Sequence, residues 1–204
     1  IRCLLDLSND IYSVTQKSPF NVIKPVTIDN QLDQFISSFI SYHQQNKGGL
    51  TIPYDSSWPS TCYQATGREG EAVPWLPQKR DTTATFGNVE EALGITLNKA
   101  YCQFFSRYFS DNLPAVAPQG NCELLQVWNS DDFTRLQQNL IGHLLMKQRL
   151  RQAPTLFFAL TDEDDFILSL LNDTGEVVLE QVGKPPKEVI AASLGDFLAL
   201  LTPR

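Results

Sequence analysis

Two pairs of adjacent carboxylates and two histidines are the residues of this chain best suited to acid–base chemistry. The pairs are Glu90–Glu91 and Asp131–Asp132, and the histidines are His43 and His143. Neighbouring carboxylates can act as general acid and general base, and histidine titrates near neutral pH. Each pair, however, falls in the first turn of a predicted helix, where the positive end of the helix dipole explains the negative charge. His143 lies within a long predicted helix, and we interpret it as a packed histidine.

The four cysteines form no recognisable metal or redox motif. Cys3, Cys62, Cys102 and Cys122 include no C-x-x-C pair, and together with the two histidines they show no metal-ligand spacing. The sequence also has no G-x-S-x-G elbow, no P-loop and no dinucleotide-binding glycine pattern. We therefore predict free thiols, no metal, no cofactor and no enzymatic activity. A pairing of a cysteine with a distant histidine stays open from sequence alone.

The charge of the chain favours a basic protein partner. The formal net charge is −7 at pH 7, which would repel nucleic acid or an anionic lipid surface. Acidic residues concentrate between Glu123 and Glu180, and they include the predicted turn Asp162–Asp165. If this turn and the start of the long helix lie at the same end of the sheet, they form an acidic surface that attracts a basic partner. The alternative for each single carboxylate is a solvated charge without a partner.

One stretch, residues 123–151, must position the Asp131–Asp132 pair. Its sequence is ELLQVWNSDDFTRLQQNLIGHLLMKQRLR, and its first six residues predict a strand. Asn129 and Ser130 then offer side-chain oxygens that can cap a helix. Apolar residues follow at helical spacing and stop before Pro154, which cannot continue the helix. A strand leading into a long capped helix is the resulting prediction.

The remaining pattern predicts one domain of the α+β class. Further helices are predicted at 30–45, 88–93, 98–108 and 193–201, and further strands at 62–64, 72–76, 155–160, 166–171 and 176–181. Asn88 and Ser193 are expected to cap their helices. A loop is predicted at Pro114, Pro118 and Gly120, and the β pattern is expected to end at Gly183–Pro186. The order predicts a mixed or antiparallel sheet with helices packed against it, a C-terminal β-meander and a terminal helix.

The first 28 residues are set apart by their composition. They are polar, weakly patterned and interrupted by Pro19 and Pro25. We predict a weakly ordered N-terminal extension or leader at 1–28 and a folded domain at 29–204. No apolar run approaches the roughly 20 residues that a membrane-spanning helix needs.

A segment of the long helix resembles a known family. The sequence WNSDDFTRLQQNLIGHLLMKQRLRQAPTLFFAL, residues 128–160, is similar to the W-x-x-D-D-F-x-R-x-Q-x-N-L-I-G-H-L motif of the bacterial Syd family, which precedes a P-T-L-F strand there. Other matching features are the Trp58-Pro-Ser turn, the Trp75-x-Pro77 corner, Asn88-Val-Glu90 and Gly175-Glu-Val. The similarity covers roughly residues 30–204.

The resemblance implies a binding protein. Syd-like proteins interact with the basic cytosolic loops of SecY, the membrane channel of protein translocation, through an electronegative concave groove. The resemblance therefore implies a cytoplasmic protein that is peripheral on the cytoplasmic face of the inner membrane and that monitors or negatively regulates SecY assembly. It implies no cofactor and no nucleic acid, and a monomer is compatible with it. The alternative within the same superfamily is a soluble binder resembling toxin-immunity proteins.

The resemblance also indicates which residues form the groove. Glu90, Asp131 and Asp132 fall inside matching motifs and are the first candidates for partner contact. Asp162, Glu163, Asp164 and Asp165 are secondary candidates, because the family is acidic there but less regular. Trp75 and Trp128 match family positions, with a purely structural role as the alternative for each. We expect the Trp–Pro corners at Trp58 and Trp75 to seal an edge of the core.

Overall fold

The computed structural model describes residues 28–81 and 84–204. The helices are α1 Ile28–Lys47, α2 Gly87–Leu93, α3 Lys99–Arg107, α4 Ser130–Arg149 and α5 Leu194–Leu200. The strands are β1 Thr51–Pro53, β2 Ala72–Pro74, β3 Gln78–Lys79, β4 Tyr108–Phe109, β5 Leu113–Ala117, β6 Gly120–Leu124, β7 Thr155–Thr161, β8 Phe166–Leu171, β9 Val177–Gln181, β10 Pro186–Ala191 and β11 Thr202–Pro203. The predicted extension lies outside the described residues except for Ile28, which is buried in α1.

Seven of the strands form one antiparallel sheet. Their order is β10-β9-β8-β7-β6-β5-β11, so strands that follow one another from β5 to β10 are neighbours. Two shorter antiparallel pairs, β1 with β2 and β3 with β4, lie outside this sheet. The predicted α+β class, the β-meander from β7 to β9 and the terminal helix α5 are confirmed.

Helices cover both faces of the sheet, as two adjacent residues of β7 show. Phe158 packs edge-on against Phe104 of α3 and Phe197 of α5, with ring centroids 5.8 and 5.7 Å apart. Phe157 instead packs against His143 of α4 at 5.4 Å. Thr155, two residues before Phe157 and therefore on the same face, also contacts His143, which places α4 on that face. The contacts of Phe158, at a register shift in the β7–β8 pairing, place α3 and α5 on the other face. Helix α1 packs against α3 and α5, and α2 packs against α4.

Local capping explains where α4 and α5 begin. Asn129 Oδ1 accepts a hydrogen bond from the Asp132 amide at 2.9 Å, and Ser193 Oγ accepts one from the Asp196 amide at 3.1 Å. The predicted cap of α2 is wrong. Phe86 stands at the N-cap position of α2, where the described residues provide no side-chain cap, and Asn88 Nδ2 donates to Gln137 Oε1 of α4 at 3.1 Å. The Asn88 side chain therefore stabilises the contact between α2 and α4, and it does not cap α2 as the local pattern predicted.

Two strands occur where the sequence pattern predicted loops. β5 contains Pro114, which lacks a backbone donor, but only the two-residue β11 lies on its outer side. β10 forms because Gly183, with φ of 81°, turns the chain back to pair with β9 at the sheet edge. The predicted strand at 123–128 is displaced, because β6 begins at Gly120 and shares only Glu123 and Leu124 with the prediction. β6 ends at Leu124, and beyond it the Leu125 amide still donates to the Phe158 carbonyl at 2.9 Å.

The described cysteines are free, as predicted. Cys62, Cys102 and Cys122 form no disulfide, whereas Cys3 lies outside the described residues. Burial raises the pKa of each of these three thiols to about 11, which disfavours the reactive thiolate. Among the helices of residues 28–81 and 84–204, none combines the length and apolar character needed to cross a bilayer.

Candidate acidic cleft

Four carboxylates line two adjoining cavities, which we call together the acidic cleft. The smaller cavity, of about 370 Å³, is lined by Asp111 and Glu123, and the larger one, of about 520 Å³, by Asp55, Asp111 and Asp132. Asp111 borders both cavities, as does the neighbouring Asn112. The two cavities therefore adjoin at Asp111 and Asn112.

The elements of the fold explain why these carboxylates meet. Glu123 belongs to β6, and Asp111 lies in the connection that leads into β5, the hairpin partner of β6. Asn112 ties them together, because its Nδ2 donates to Glu123 Oε1 at 2.8 Å while its amide donates to Asp111 Oδ1 at 2.9 Å. Asp132 is placed by the N-terminus of α4.

The electrostatics of Asp111 indicate that negative charge is concentrated here. Asp111 is exposed at the rim, yet partial desolvation by the surrounding protein raises its pKa, and the like charges of Glu123 and Asp132 raise it further. In the ranges that the structure describes, none of the four cleft carboxylates is ion-paired with a basic side chain. The cleft therefore presents charge that a cationic ligand would neutralise.

Basic side chains on the cleft walls are few. His43 and Lys47 of α1 line the smaller cavity, and Arg135 of α4 lines the larger one. His43 Nδ1 lies 3.0 Å from the Phe39 carbonyl oxygen, so that hydrogen bond fixes the orientation of the ring. The Arg135 guanidinium carbon lies 4.1 Å from the centre of the Trp58 ring.

Aromatic residues build the wall and floor of the larger cavity. Trp128 is 7% exposed, and its ring meets those of Tyr63 and Trp75 edge-on at 5.0 and 5.7 Å. Its Nε1 donates to the Trp58 carbonyl at 3.2 Å, and Ser60 Oγ donates to the Trp128 carbonyl at 2.5 Å. These contacts fix the 58–60 loop against the start of α4. Trp75 is also buried, at 4% exposure, and it lines the smaller cavity.

Of the predicted acidic contact residues, Asp132 is the one that lines the cleft. Its Oδ2 accepts a hydrogen bond from the Trp128 amide at 2.9 Å, so part of its role is structural. Asp131 is exposed in the first turn of α4 and borders neither cavity. Glu90 lies elsewhere, where its Oε1 accepts from the Leu97 amide at 2.8 Å and closes the loop after α2.

The turn acids lie on the other face of the sheet. Asp162 and Glu163 line a separate cavity of about 450 Å³, together with Cys122 and with Phe197 of α5. Asp162 Oδ2 accepts from Asn121 Nδ2 at 2.6 Å, which holds the turn against the β5–β6 hairpin. Asp164 and Asp165 are exposed within the turn. The structure thus brings Asp132 together with Asp55, Asp111 and Glu123, and it does not bring Asp162–Asp165 to that site.

Sequence reasoning missed Asp55 and Asp111. Asp55 precedes two serines in a loop, and hydrogen bonds from the Ser57 hydroxyl and then the Ser57 amide lower its pKa. Asp111 precedes Asn112 in what the pattern shows only as a polar connection. No local motif distinguishes either residue, because their proximity arises from tertiary packing. Glu123 belongs to the acid-rich region recognised in the sequence, but only the β5–β6 pairing places it beside Asp111.

The histidine considered for catalysis lies inside the protein. His143 Nε2 is 3.1 Å from Thr155 Oγ1 and 3.8 Å from Glu180 Oε1, and Glu180 is fully buried between α4 and the sheet. Burial lowers the pKa of His143. Lys147 already pairs with the same carboxylate at 3.0 Å, which makes this a packed interior cluster. Within the described part of the chain, no group of three His, Cys, Asp or Glu side chains is arranged to hold a metal ion.

Comparison with known proteins identifies the family of this chain. The family model described as Syd protein (SUKH-2) matches residues 29–203. Protein Syd of Alteromonas mediterranea is 57% identical over 178 residues, which cover 87% of this chain and 97% of the relative. Protein Syd of Pseudoalteromonas atlantica is 48% identical over 179 residues, with 87% and 96% covered. Protein Syd of Shewanella baltica is 42% identical over 175 residues, with 85% and 81% covered. The chain belongs to the Syd family.

Proposed function

We propose that this chain binds SecY and that the basic cytosolic loops of SecY enter the acidic cleft. The chain acts as a monomeric, non-catalytic binding protein at the cytoplasmic face of the inner membrane, held there by SecY itself. In this way it monitors or negatively regulates SecY assembly. Membership in the Syd family supports the partner, and the cleft supports the mode of binding.

The observation that carries this proposal is the convergence of four carboxylates in one cavity pair. Asp55, Asp111, Glu123 and Asp132 come from different parts of the fold, and the described structure offers none of them an ion pair. Like charges that are held close together repel one another, so a basic ligand relieves this repulsion on binding. A concave acidic surface also accelerates encounter with a basic partner, especially at low salt.

Sedimentation with inverted membrane vesicles tests the proposal. The chain should sediment with vesicles that contain SecY, and it should do so less with vesicles depleted of SecY. Sedimentation should weaken as salt rises through physiological strength, where charges are screened over about 8 Å. Membrane association that does not depend on SecY would contradict the proposal. A partner recovered only from the soluble fraction would favour the toxin-immunity-like alternative.

Charge reversal decides whether the cleft is the binding surface. Asp111→Lys should reduce binding to SecY-containing vesicles by at least about tenfold, because it places a cation between Glu123 and Asp132. Asp173→Lys is the matched control, since this exposed residue lies in the β8–β9 turn and borders neither cavity of the cleft. Asp164→Lys tests the predicted turn acids separately. Equal losses in all three variants would mean that overall charge, and not the cleft, governs binding.

A further inference from the structure

The larger cavity of the cleft already holds one cationic side chain of the protein itself. Arg135 is the one basic residue among the described residues that line this cavity, and its guanidinium stacks over Trp58 at 4.1 Å. Arg135 is exposed, and it forms no ion pair with the described carboxylates. An aromatic face opposite a solvent-exposed guanidinium is a weak contact that a competing cation can replace.

The surroundings of Trp58 match the requirements of a guanidinium group. Carboxylates of Asp55 and Asp132 line the same cavity and can accept its N–H donors. Gln126 also lines it; this residue is 7% exposed, and within residues 28–81 and 84–204 no donor reaches its Oε1. A buried acceptor without a donor is costly, so a ligand that supplies N–H groups gains from satisfying it.

Hydrogen bonds hold the backbone at Trp58, whereas Arg135 forms no ion pair with the described residues. The Trp58 carbonyl accepts from Trp128 Nε1, and the next carbonyl, of Pro59, accepts from Asn129 Nδ2 at 2.8 Å. Both bonds hold the backbone of the loop and do not involve the half-buried indole ring, over which Arg135 lies. Arg135 projects from the second turn of α4 on a long side chain, which can swing into solvent without disturbing the helix.

We propose that the cleft binds an arginine side chain of its partner on the Trp58 face, and that Arg135 occupies this position in the unbound protein and is displaced on binding. This inference rests on the proposed function, because it assumes a basic partner for the same cleft. It adds a specificity-determining residue, Trp58, and an internal competitor, Arg135. It also specifies arginine over lysine, since a planar guanidinium stacks on an indole and donates to two acceptors at once, whereas an ammonium ion is a compact point charge.

Two dye-labelled peptides that carry equal numbers of arginines or of lysines test this selectivity by fluorescence anisotropy at low salt. The arginine peptide should bind the unmodified protein more tightly than the lysine peptide. Arg135→Gln should tighten binding of the arginine peptide by about two- to fivefold, and that of the lysine peptide by less, because it vacates the stacking position. Arg149→Gln is the control, since it removes the same charge at the far, exposed end of α4.

The ratio of the two affinities separates stacking from simple charge. If Arg135→Gln tightens both peptides equally, or neither, Arg135 is not an occupant of an arginine site and the inference is wrong. Trp58→Leu should abolish the preference for arginine while binding of the lysine peptide remains. An unchanged preference in this variant would overturn the role of Trp58. Should Trp58→Leu fail to fold, iodide quenching of tryptophan fluorescence in the unmodified protein, before and after peptide addition, reports the same contact, because Trp58 is half-buried whereas Trp75 and Trp128 are buried.

Failure of the inference can be told apart from failure of the proposed function. If both peptides bind and Asp111→Asn weakens both, the cleft binds cations whatever the Arg135 variants show. If neither peptide binds, or if Asp111→Asn has no effect on them, the acidic cleft itself is not the site and both proposals are wrong.

Discussion

Lys147 on α4 donates to Glu180 Oε2 on β9 over 3.0 Å, and both side chains are buried between the helix and the sheet. The ammonium group also donates to Gln152 Oε1 and to the Lys184 carbonyl, each at 3.1 Å, so all three of its donors are used. The helix pattern places Lys147 near the solvent-exposed C-terminus of α4. Instead, this lysine ties α4 to the turn that follows β9, and it carries a charge in the interior.

Removing one member of this pair should be far more costly than removing both. Lys147→Met should lower the free energy of unfolding by about 3–5 kcal/mol, because it leaves Glu180 as an unpaired buried charge. The double substitution Lys147→Met with Glu180→Leu should recover a large part of this loss. Urea unfolding followed by circular dichroism measures both effects. Arg149→Met, an exposed neighbour on the same helix, should change stability by less than about 0.5 kcal/mol. Equal losses in the single and double variants would contradict the buried-charge explanation.

Asp33 should make the fold sensitive to acid. Hydrogen bonds from Arg107, with contributions from Tyr108 and Lys79, lower the pKa of Asp33 to about 2 from the usual 3.8. A folded-state pKa below the unfolded value stabilises the protein above pH 3.8, and this stabilisation is lost as pH falls towards 2. Because the side chain is 33% exposed, screening limits the contribution to on the order of 1 kcal/mol.

Asp33→Asn tests this contribution. Compared with the unmodified protein, the variant should be less stable at pH 7, and the difference should shrink as the pH of the urea titration falls from 5 to 2.5. The exposed Asp173→Asn provides the control for removal of one carboxylate. A stability difference that stays constant over this pH range would exclude titration of Asp33 as its cause.

Local sequence patterns predicted most of the helices correctly, because their signals are short-range. Asn129 caps α4 as its position in the pattern indicates, and the meander β7–β9 follows the apolar runs between turn residues. The prediction failed where long-range contacts decide the outcome. Asn88 bonds Gln137 across two helices, and Pro114 is accepted in β5 because little lies on the outer side of that strand. Neither the Gln137 partner of Asn88 nor the short strand beside β5 can be identified from residues that are adjacent in sequence.

The cleft was less predictable than the fold for the same physical reason. Asp132 belongs to a recognisable motif, and its place in the cleft follows from the start of α4. Asp55 and Asp111 have no motif, and they meet Asp132 only through the packing of the 54–63 loop and the β5–β6 hairpin. Acidic residues that are adjacent in sequence, such as Asp164 and Asp165, are readily predicted to form an acidic surface. Here the residues that converge in space are far apart along the chain.

The adjacent residues Asp131 and Asp132 should respond differently to charge reversal. Asp132 accepts from the Trp128 amide at 2.9 Å, so Asp132→Lys should lower the free energy of unfolding by about 1–2 kcal/mol through loss of this contact and of the favourable helix-dipole interaction. Asp131 is exposed and is left out of this capping arrangement, so Asp131→Lys should cost less than about 1 kcal/mol. Thermal unfolding of the two single variants measures the difference, and vesicle sedimentation gives their binding. Losses of stability that are equal in both variants would contradict the structural role assigned to Asp132.

We expect the negative charge of Asp111 to strengthen binding to SecY and to lower the stability of the folded protein. Its pKa is raised by desolvation and by the like charges of Glu123 and Asp132, and a raised carboxyl pKa means that ionisation is less favourable in the folded than in the unfolded state. The stabilisation of the protonated form is therefore present below the unfolded pKa and is lost as pH rises through the folded pKa.

At pH 7, Asp111→Asn should leave the melting temperature unchanged or slightly raised, because asparagine keeps an oxygen that can accept from the Asn112 amide. The same variant should bind SecY-containing vesicles less tightly by about three- to tenfold, since it removes one charge from the cleft. Asp173→Asn, outside the cleft, should alter neither property. A marked drop in melting temperature for Asp111→Asn would show instead that this carboxylate is a structural group, and weakened binding would then no longer identify it as a contact residue.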